Sequence, residues 1–527
     1  TRGIMSILRQ LLAGKRSWRE STLGSDGYKW PMMAGGRPEE KEVFYLSFRR
    51  GGLMFMPVDP ETAIREMIPN PTSATVKEEC ALLQHFGFNV TEKMLWDSVD
   101  GSSLEVLYAT PFGEYAAPRE PVATVRAPQA IASWLEPLVS GRFSYQMQVA
   151  TAYIKAREGD TMPAFLETIR TVTCERQKEL TMEAILGAHK GRDFGDADFR
   201  QELRDIENGI TVDELSYYNA VQLQGIKMLA SGVSPNRIFE VGLRAATCME
   251  QHLIALKALK DLGFTLTSNA YGAYVLDIKA VGTLGHEGIM RHGGNDERAF
   301  RAHIAAMPLV IMLLDTNDTM KVGIPTALKL MEEFPDRNDG MRPDSGSLEE
   351  QFRYIVSEIK ARGIRPRPWV FEDGIDDKDV ARYEALRIEV DYPEEVTLFG
   401  AGGYFIDRPE PTGYRRGLVS MVYKLAWTSK YGPTMKFGDE LEEGWSGKQS
   451  LPGIPVLAVR ENAAHPSHGP ATMVCQYGNL PKGWRVYGPG DSARRDGFEH
   501  RPAVDGITLS LIETCTRARA EAVAAAA

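Results

Sequence analysis

The order of apolar and polar positions divides the chain into stretches of different character. Residues 1 to about 165 read as mixed β and loop; Val43-Phe-Tyr-Leu-Ser-Phe48 is an aromatic-rich strand ending in Arg49-Arg50-Gly51-Gly52. From about 166 to 260 prolines are sparse and apolar and charged residues mix over long segments, 213–229 among them, which predicts helices. Between about 260 and 405 the pattern becomes regular. Pro308-Leu-Val-Ile-Met-Leu-Leu314 is a buried-strand candidate ending in Asp315-Thr-Asn-Asp318-Thr319. Residues 347–363 form a helix: Ser347 and Glu350 make an S-x-x-E capping box, Leu348, Phe352, Ile355 and Ile359 share a face, and Gly363 stops it. Pro368-Trp-Val-Phe371 is the next strand, ending in Glu372-Asp373-Gly374; a helix follows over about 377–388. Glu395-Val-Thr-Leu-Phe399 then ends in Gly400-Ala-Gly-Gly403. Strand, loop and helix in repetition predict parallel strands with crossover helices, and ligands in such folds sit where loops leave the C-terminal strand ends. Asp315, Arg342, Asp344, Asp373 and the glycines from 400 to 403 occupy those loops. Beyond about 425 β and loop character returns, with turn-rich Ala463-Ala-His-Pro-Ser-His-Gly-Pro470 and residues 480–490. No repeat of 20–50 residues is visible, which argues against a solenoid.

Composition narrows the class. A chain of 527 residues allows two to four structural units. With 61 basic against 71 acidic side chains it carries a net charge of −10, which disfavours a general nucleic-acid binder but leaves local basic clefts open. No run of about 18 apolar residues is present to span a bilayer, and the start lacks a signal-peptide core. Thr1 in place of Met reads as a processed or vector-derived start, and the alanine run at 522–527 as a frayed helix or scar. Five widely spaced cysteines without a CxxC pair fit a reducing compartment and offer no zinc cage. A cytoplasmic protein without membrane or nucleic-acid partners is the expectation.

Four motifs carry candidate chemistry, each with a plainer alternative. Arg342-Pro-Asp-Ser-Gly346 sets a guanidinium two residues from a carboxylate. Arg342 can grip a phosphate while Asp344 holds a ribose hydroxyl or magnesium; alternatively the two are a surface ion pair. Asp315 and Asp318 stand in a turn that could equally be a helix cap. Gly400-Ala-Gly-Gly403 can bring backbone N–H groups to a phosphate or simply form a tight turn, and it is neither G-x-G-x-x-G nor a Walker loop. Gly282-Thr-Leu-Gly-His286-Glu287 places a histidine beside a carboxylate, as general base, phosphate acceptor or buried hydrogen-bonded ring. His292 and His303 lie at spacings that put no histidine pair on one helical face, and they read as structural.

Taken in order, eight motifs resemble the nicotinate and nicotinamide phosphoribosyltransferases of NAD salvage over about residues 20 to 425. They are Ser25-Asp-Gly-Tyr-Lys29, Phe48-Arg49, Glu240-Val-Gly-Leu-Arg244, Thr267-Ser-Asn269, Gly282-Thr-Leu-Gly-His-Glu287, Leu314-Asp-Thr-Asn-Asp-Thr319, Arg342-Pro-Asp-Ser-Gly346 and Phe399-Gly-Ala-Gly-Gly403. The resemblance implies an α/β fold class: an irregular type II phosphoribosyltransferase α/β barrel over 166–424, with a flanking α+β domain built from both chain ends, 20–165 and 425–520. It also implies a homodimer with shared active sites. The implied reaction transfers the phosphoribosyl group of phosphoribosyl pyrophosphate to nicotinate, giving nicotinate mononucleotide and pyrophosphate, with ATP as co-substrate. By the same resemblance Tyr28 is the tyrosine a neighbouring subunit lends to stack on the pyridine ring, and Arg49 holds pyrophosphate. Arg244 contacts the pyridine substituent, and His286 is transiently phosphorylated. Asp315, Arg342 and Asp344 surround ribose, phosphate and magnesium, while Asp373, Gly374, Gly402 and Gly403 receive the ribose and its 5′-phosphate. The expected Mg²⁺ is carried mainly by pyrophosphate, with Asp315 the candidate protein ligand.

The chain departs from the family at Val241, where a ring-stacking phenylalanine is usual (Phe239 lies two residues away), at Leu266 for glycine and at Gly285 for alanine. These bear on the pyridine pocket more than on the phosphoribosyl side. Ser268 stands where the amide-using branch has an aspartate; a hydroxyl can donate to a carboxylate that an aspartate would repel, which favours nicotinate. The alternatives are the nicotinamide enzyme and a non-catalytic homologue that binds phosphoribosyl pyrophosphate or a pyridine nucleotide.

Overall fold

The computed structural model describes residues 6–189, 197–409, 413–437, 449–461, 471–491 and 502–526. The turn-rich segment 463–470 lies outside the described residues. Seven parallel strands form the central sheet: β1 Ile238–Glu240, β2 Leu266–Thr267, β3 Lys279–Ala280, β4 Ile311–Leu313, β5 Gly340–Arg342, β6 Trp369–Phe371 and β7 Thr397–Ala401. Their order is β3-β2-β1-β7-β6-β5-β4, so the last strand pairs with the first and the sheet curls into a barrel. The barrel is open at one seam, between β3 and β4, where the Leu284 N–H donates to the Ile311 carbonyl at 3.3 Å.

Strands β4 to β6 are buried at every position, because helices cover one face and the barrel interior the other; hence apolar runs rather than alternation. The helix Leu348–Arg362 follows its sequence pattern closely. Ser347 Oγ accepts from the Glu350 N–H, the faces of Phe352, Ile355 and Ile359 are buried, and Gly363 ends the helix at φ 65°. The helix Asp377–Glu389 begins with a full capping box formed by Asp376 and Asp379.

The N-terminal region is more helical than its pattern suggested. It contains Ser73–His85 and the 23-residue helix Glu136–Glu158. The latter is buried continuously from Glu136 to Thr151, on all sides and with polar residues throughout, so no amphipathic stripe marks it. Strand Lys41–Phe48 pairs antiparallel with Met421–Thr428 from the far end of the chain and with Ala123–Pro128. Glu105–Ala109 and Gly432–Pro433 complete this five-stranded sheet. A three-stranded sheet (Thr472–Gln476, Pro455–Arg460, Trp484–Val486) packs beside it, and the chain's alanine run ends the helix Gly506–Ala526. No helix among the described residues is long and apolar enough to cross a membrane.

Two contacts fix the N-terminal segment to the barrel. The Gly27 N–H donates to the Ser268 carbonyl at 2.5 Å, and a Cβ at Gly27 would lie 1.9 Å from the Val281 oxygen. A Cβ at Gly282 would lie 2.3 Å from the Gly27 carbonyl, so both glycines are demanded by close backbone approach. The second contact is ionic. Lys29, fully buried, donates to Glu136 at 2.6 Å and to Glu287; Arg291, also fully buried, pairs with Glu287 at 2.8 Å and with both oxygens of Glu42 at 2.7 and 2.9 Å. Removing one partner of such a buried array strands charge in a dry interior. Arg291→Ala is therefore expected to lower stability by about 3–5 kcal/mol, read as an earlier urea unfolding midpoint; a loss of under about 1 kcal/mol would show that the array is solvated.

Candidate active site

The C-terminal strand ends open into a cavity of about 760 Å³. Residues immediately after β1, β2, β3, β6 and β7 line it (Val241, Ser268, Val281, Glu372 and Gly402), as does Arg342 at the tip of β5. Segment 26–28, the strand Met421–Thr428 and the loop around 415–420 close it from the flanking side. Of the residues singled out in the sequence, Tyr28, Arg49, Arg244, Ser268, His286, Arg342, Asp344, Asp373, Gly374, Gly402 and Gly403 all line this one space. Asp315 does not. It lies behind His286, its Oδ1 3.8 Å from His286 Nε2 and its Oδ2 accepting from Ser345 Oγ at 2.7 Å, so it backs the histidine instead of facing the cavity.

Tyr28 lines the same space. It lies in the cavity of its own chain, its ring against Gly285, where a Cβ would meet the ring carbons at 2.8 Å. Its hydroxyl donates to Glu136 at 2.8 Å. Close packing at Gly27 and Gly282 brings the segment there. The Gly285 departure has the same cause, since alanine would strike the tyrosine. Glu136 is the common acceptor, taking bonds from Tyr28, Lys29 and, at 3.2 Å, Arg244.

His286 donates or accepts at Nδ1 with Thr316 Oγ1 at 3.1 Å, while its buried Nε2 has no hydrogen-bond partner. That nitrogen lies 3.6 Å from Asp344 Oδ2. Burial and the nearby Lys436 ammonium push its pKa down to about 4, against the pull of Asp315 and Asp344, so the ring is neutral near pH 7. Burial opposes ionisation of Asp344, yet Arg342, His286 and Lys436 hold its carboxyl well below the usual carboxylate range. Arg342 spans the site: Nη2 donates to the Leu284 carbonyl at the seam, at 2.7 Å, and Nη1 lies 3.3 Å from Glu372 and 3.6 Å from Asp344. Asp373, at φ 101°, precedes Gly374 at φ 61°, a left-handed pair that turns the chain sharply at the rim.

The charge balance of the lining is the reverse of the chain's. Nine basic side chains meet seven acidic ones, and Glu136, Glu287 and Glu372 are already paired. The Nε of Arg342 and of Arg416 are buried without partners. Burial, Lys436 and Arg49 drive the Lys424 ammonium well below its ordinary pKa, and burial with Arg244 and Arg49 pushes Arg416 down to about 10. Cations crowded against one another in a cavity are a site for a polyanion. Arg416, Lys424 and Lys436 escaped the sequence reading; the one available signal was a lysine inside the apolar strand Met421-Val-Tyr-Lys-Leu-Ala-Trp427.

Asp26 was likewise missed, although it stands in a quoted motif. Ser268 Oγ donates its proton to Asp26 Oδ1 at 2.8 Å, so the serine's donor is already engaged. Burial raises the Asp26 pKa to about 6, against Arg244 and the Ser268 bond. For a cation, His286, Asp315 and Asp344 each offer an atom within 4.8 Å of the others'. The buried, partnerless Oδ1 of Asp315 and the ionised Asp344 are oxygen donors that fit Mg²⁺. His292 and His303 serve packing: His292 Nε2 donates to the Gly35 carbonyl at 2.9 Å and His303 Nδ1 to Ala299 at 2.6 Å. Asp318 caps the following helix.

No protein-family profile matches the chain. Among characterised sequences it is similar to the nicotinate phosphoribosyltransferases of Bacillus subtilis (26% identical over 236 residues, 44% of this chain and 45% of that protein) and Homo sapiens (24% over 360 residues, 56% and 62%). The chain thus spans less than two thirds of the length of these relatives. Among solved structures it is similar to nicotinate phosphoribosyltransferases from Porphyromonas gingivalis (TM-score 0.53, 16% identity, 82% of this chain and 96% of that one) and Vibrio cholerae (TM-score 0.52, 18%, 80% and 89%). The resemblance read from the motifs is therefore borne out, and the fold is the α/β type II phosphoribosyltransferase fold.

The cationic lining yields an expectation independent of any reaction. Inorganic pyrophosphate should raise the Tm of the protein in a salt-sensitive manner. Arg342→Ala and Arg416→Ala should each weaken that binding by about tenfold or more. An unchanged affinity in both variants would show that the anion binds elsewhere.

Proposed function

We propose that the chain is a nicotinate phosphoribosyltransferase of NAD salvage, forming nicotinate mononucleotide and pyrophosphate from nicotinate and phosphoribosyl pyrophosphate, with ATP hydrolysis coupled through His286. The observation that carries this reading is one cavity with two chemistries side by side. Tyr28, Phe239, Arg244 and the Ser268–Asp26 pair suit a flat ring with a polar substituent, and the crowded arginines and lysines suit a substrate bearing several phosphates.

The reaction asks little of acids and bases, since a pyridine nitrogen already has a lone pair. Positive charge grows at the anomeric carbon as pyrophosphate leaves, and the ionised Asp344 faces that demand. Arg342 and Arg416 receive the charge accumulating on the departing oxygens. Magnesium held between Asp315 and Asp344 would supply further neutralisation of phosphate charge. His286 is neutral; with its proton on Nδ1 toward Thr316, the Nε2 lone pair is available to accept a phosphoryl group.

The Asp26–Ser268 bond changes the argument for the acid over the amide. Serine no longer supplies the donor; Arg244 does, and a protonated Asp26 does so as well. An ionised Asp26 would instead accept from a carboxamide, which is the observation favouring nicotinamide as a second substrate.

Assay of the purified chain with each pyridine, with and without ATP, tests the reading. Nicotinate mononucleotide should form, and ATP should lower the apparent KM; saturation by nicotinamide but not nicotinate would overturn the substrate assignment. His286→Ala should lose the ATP effect while keeping some basal turnover. Nicotinate affinity should fall as pH rises through about 6, because ionised Asp26 repels the carboxylate, and nicotinamide affinity should not. In Asp26→Asn that pH dependence should vanish; its persistence would assign the titration to another group.

A further inference from the structure

Two helices far apart in sequence begin with the same five-residue pattern, Thr173-Cys-Glu-Arg-Gln177 and Thr247-Cys-Met-Glu-Gln251. The structure sets these starts face to face. Cys174 is the N-cap of Glu175–Gly187 at φ −160°, ψ 165°, and Cys248 is the N-cap of Met249–Lys260 at φ −159°, ψ 167°. In each, the threonine N–H and hydroxyl both donate to the glutamine Oε1, at 2.7 and 2.7 Å in the first and 2.8 and 3.1 Å in the second. Gln251 Nε2 then crosses over to donate to Thr173 Oγ1 at 3.3 Å. This clasp holds the two sulfurs 3.6 Å apart, with Cys174 fully buried and Cys248 partly buried.

We propose that Cys174 and Cys248 form a redox-active dithiol, oxidised by a hydroperoxide to a disulfide that joins the two helix starts. Cys248, the less buried of the two, reacts first, although burial and Cys174 hold its thiol pKa well above the ordinary value, so the reaction quickens as pH rises. Its sulfur attacks one peroxide oxygen, the O–O bond breaks, and water leaves a sulfenic acid on Cys248. Cys174 sulfur then attacks Cys248 sulfur; the S–O bond breaks and the departing hydroxide takes the Cys174 proton as a second water. Two thiols and one hydrogen peroxide thus give one disulfide and two waters. Closing the bond draws the sulfurs together by about 1.5 Å, to the usual S–S length.

That movement reaches the cavity. Cys248 lies four residues from Arg244, and the Ala246 carbonyl between them packs closely on the long buried helix, since a Cβ at Gly141 would stand 2.3 Å from its oxygen. A pull on Cys248 that slides this contact carries the turn Leu243–Ala245 with it, and Arg244 shifts from Glu136. The link to activity rests on the function proposed above; the disulfide itself does not.

The full-length protein treated with limiting hydrogen peroxide and mapped under non-reducing conditions should yield a Cys174–Cys248 cross-linked peptide lighter by two hydrogens. Thiols titrated after denaturation should fall by two from five. Dithiothreitol should restore both. Cys174→Ser and Cys248→Ser should each abolish the cross-link, and Cys80→Ser should not. Recovery of all five thiols, or a cross-link elsewhere, would overturn the dithiol. In the assay, oxidation should raise the KM for the pyridine severalfold with kcat little changed, reversibly and only when both cysteines are present. A confirmed cross-link with unaltered KM would overturn the coupling to Arg244, and absence of any turnover in the reduced protein would count against the proposed function alone.

Discussion

The arrangement of this protein depends on a buried lysine. Lys29 has no solvent and two carboxylates, Glu136 and Glu287, and these are shared onward with Tyr28, Arg244 and Arg291. Replacing such an array with apolar residues could leave the stability unchanged, but breaking any one member leaves a stranded charge. What the array supplies is geometry. It links the flanking strand through Glu42, the N-terminal segment through Lys29, the long buried helix through Glu136, and the barrel through Glu287 and Arg291. A slip of any of these elements by one residue would leave several charges unpaired at once. The same carboxylate, Glu136, orients the ring of Tyr28 and the guanidinium of Arg244, so the constraint that holds the fold also shapes one wall of the cavity.

A chain at −10 holds a cavity that attracts anions because field is local. The acids in the lining are mostly committed to partners, whereas the cations of the 415–436 segment are pressed together and destabilised in their charged forms. An arriving polyanion relieves that repulsion, which is binding energy already stored in the fold. His286 illustrates the complementary rule. Two carboxylates lie within 4 Å of Nε2, yet burial and Lys436 outweigh them and keep the ring neutral. A protonated imidazole there would have no free lone pair on either nitrogen.

Local signals made some elements readable and left others hidden. The helix Leu348–Arg362 has one wet face, a serine cap and a glycine stop, so its residues alone declare it. The helix Glu136–Glu158 is dry on every side over most of its length, and its serines and glutamines erase both periodicities. Strand ends carrying Arg342, Asp344 and Asp373 followed from alternation. Arg416, Lys424 and Lys436 did not, because they reach the cavity only through pairing of Met421–Thr428 with Lys41–Phe48, a register that spans nearly the whole chain. Asp26 was hidden by chemistry instead: a serine read as a donor gave no hint that another side chain had already taken its proton.

The departure at Val241 can be understood from the pleat of β1. Side chains two apart on a strand face the same way, and Phe239 and Val241 both line the cavity. Moving the ring from 241 to 239 therefore keeps an aromatic on the same face, one pleat further from the strand's C-terminal end. The loop after β7 approaches the backbone at this strand end closely, since a Cβ at Gly402 would stand 3.1 Å from the Val241 carbonyl. A β-branched valine fills that strand end with few rotamers and no ring to accommodate. Tyr28, supplied by the chain's own N-terminal segment and held by Glu136, lines the same cavity. This wall of the cavity thus carries one aromatic from the barrel and one from the segment clamped against it. Its shape is set by the same glycine contacts and buried charges that fix the two parts together.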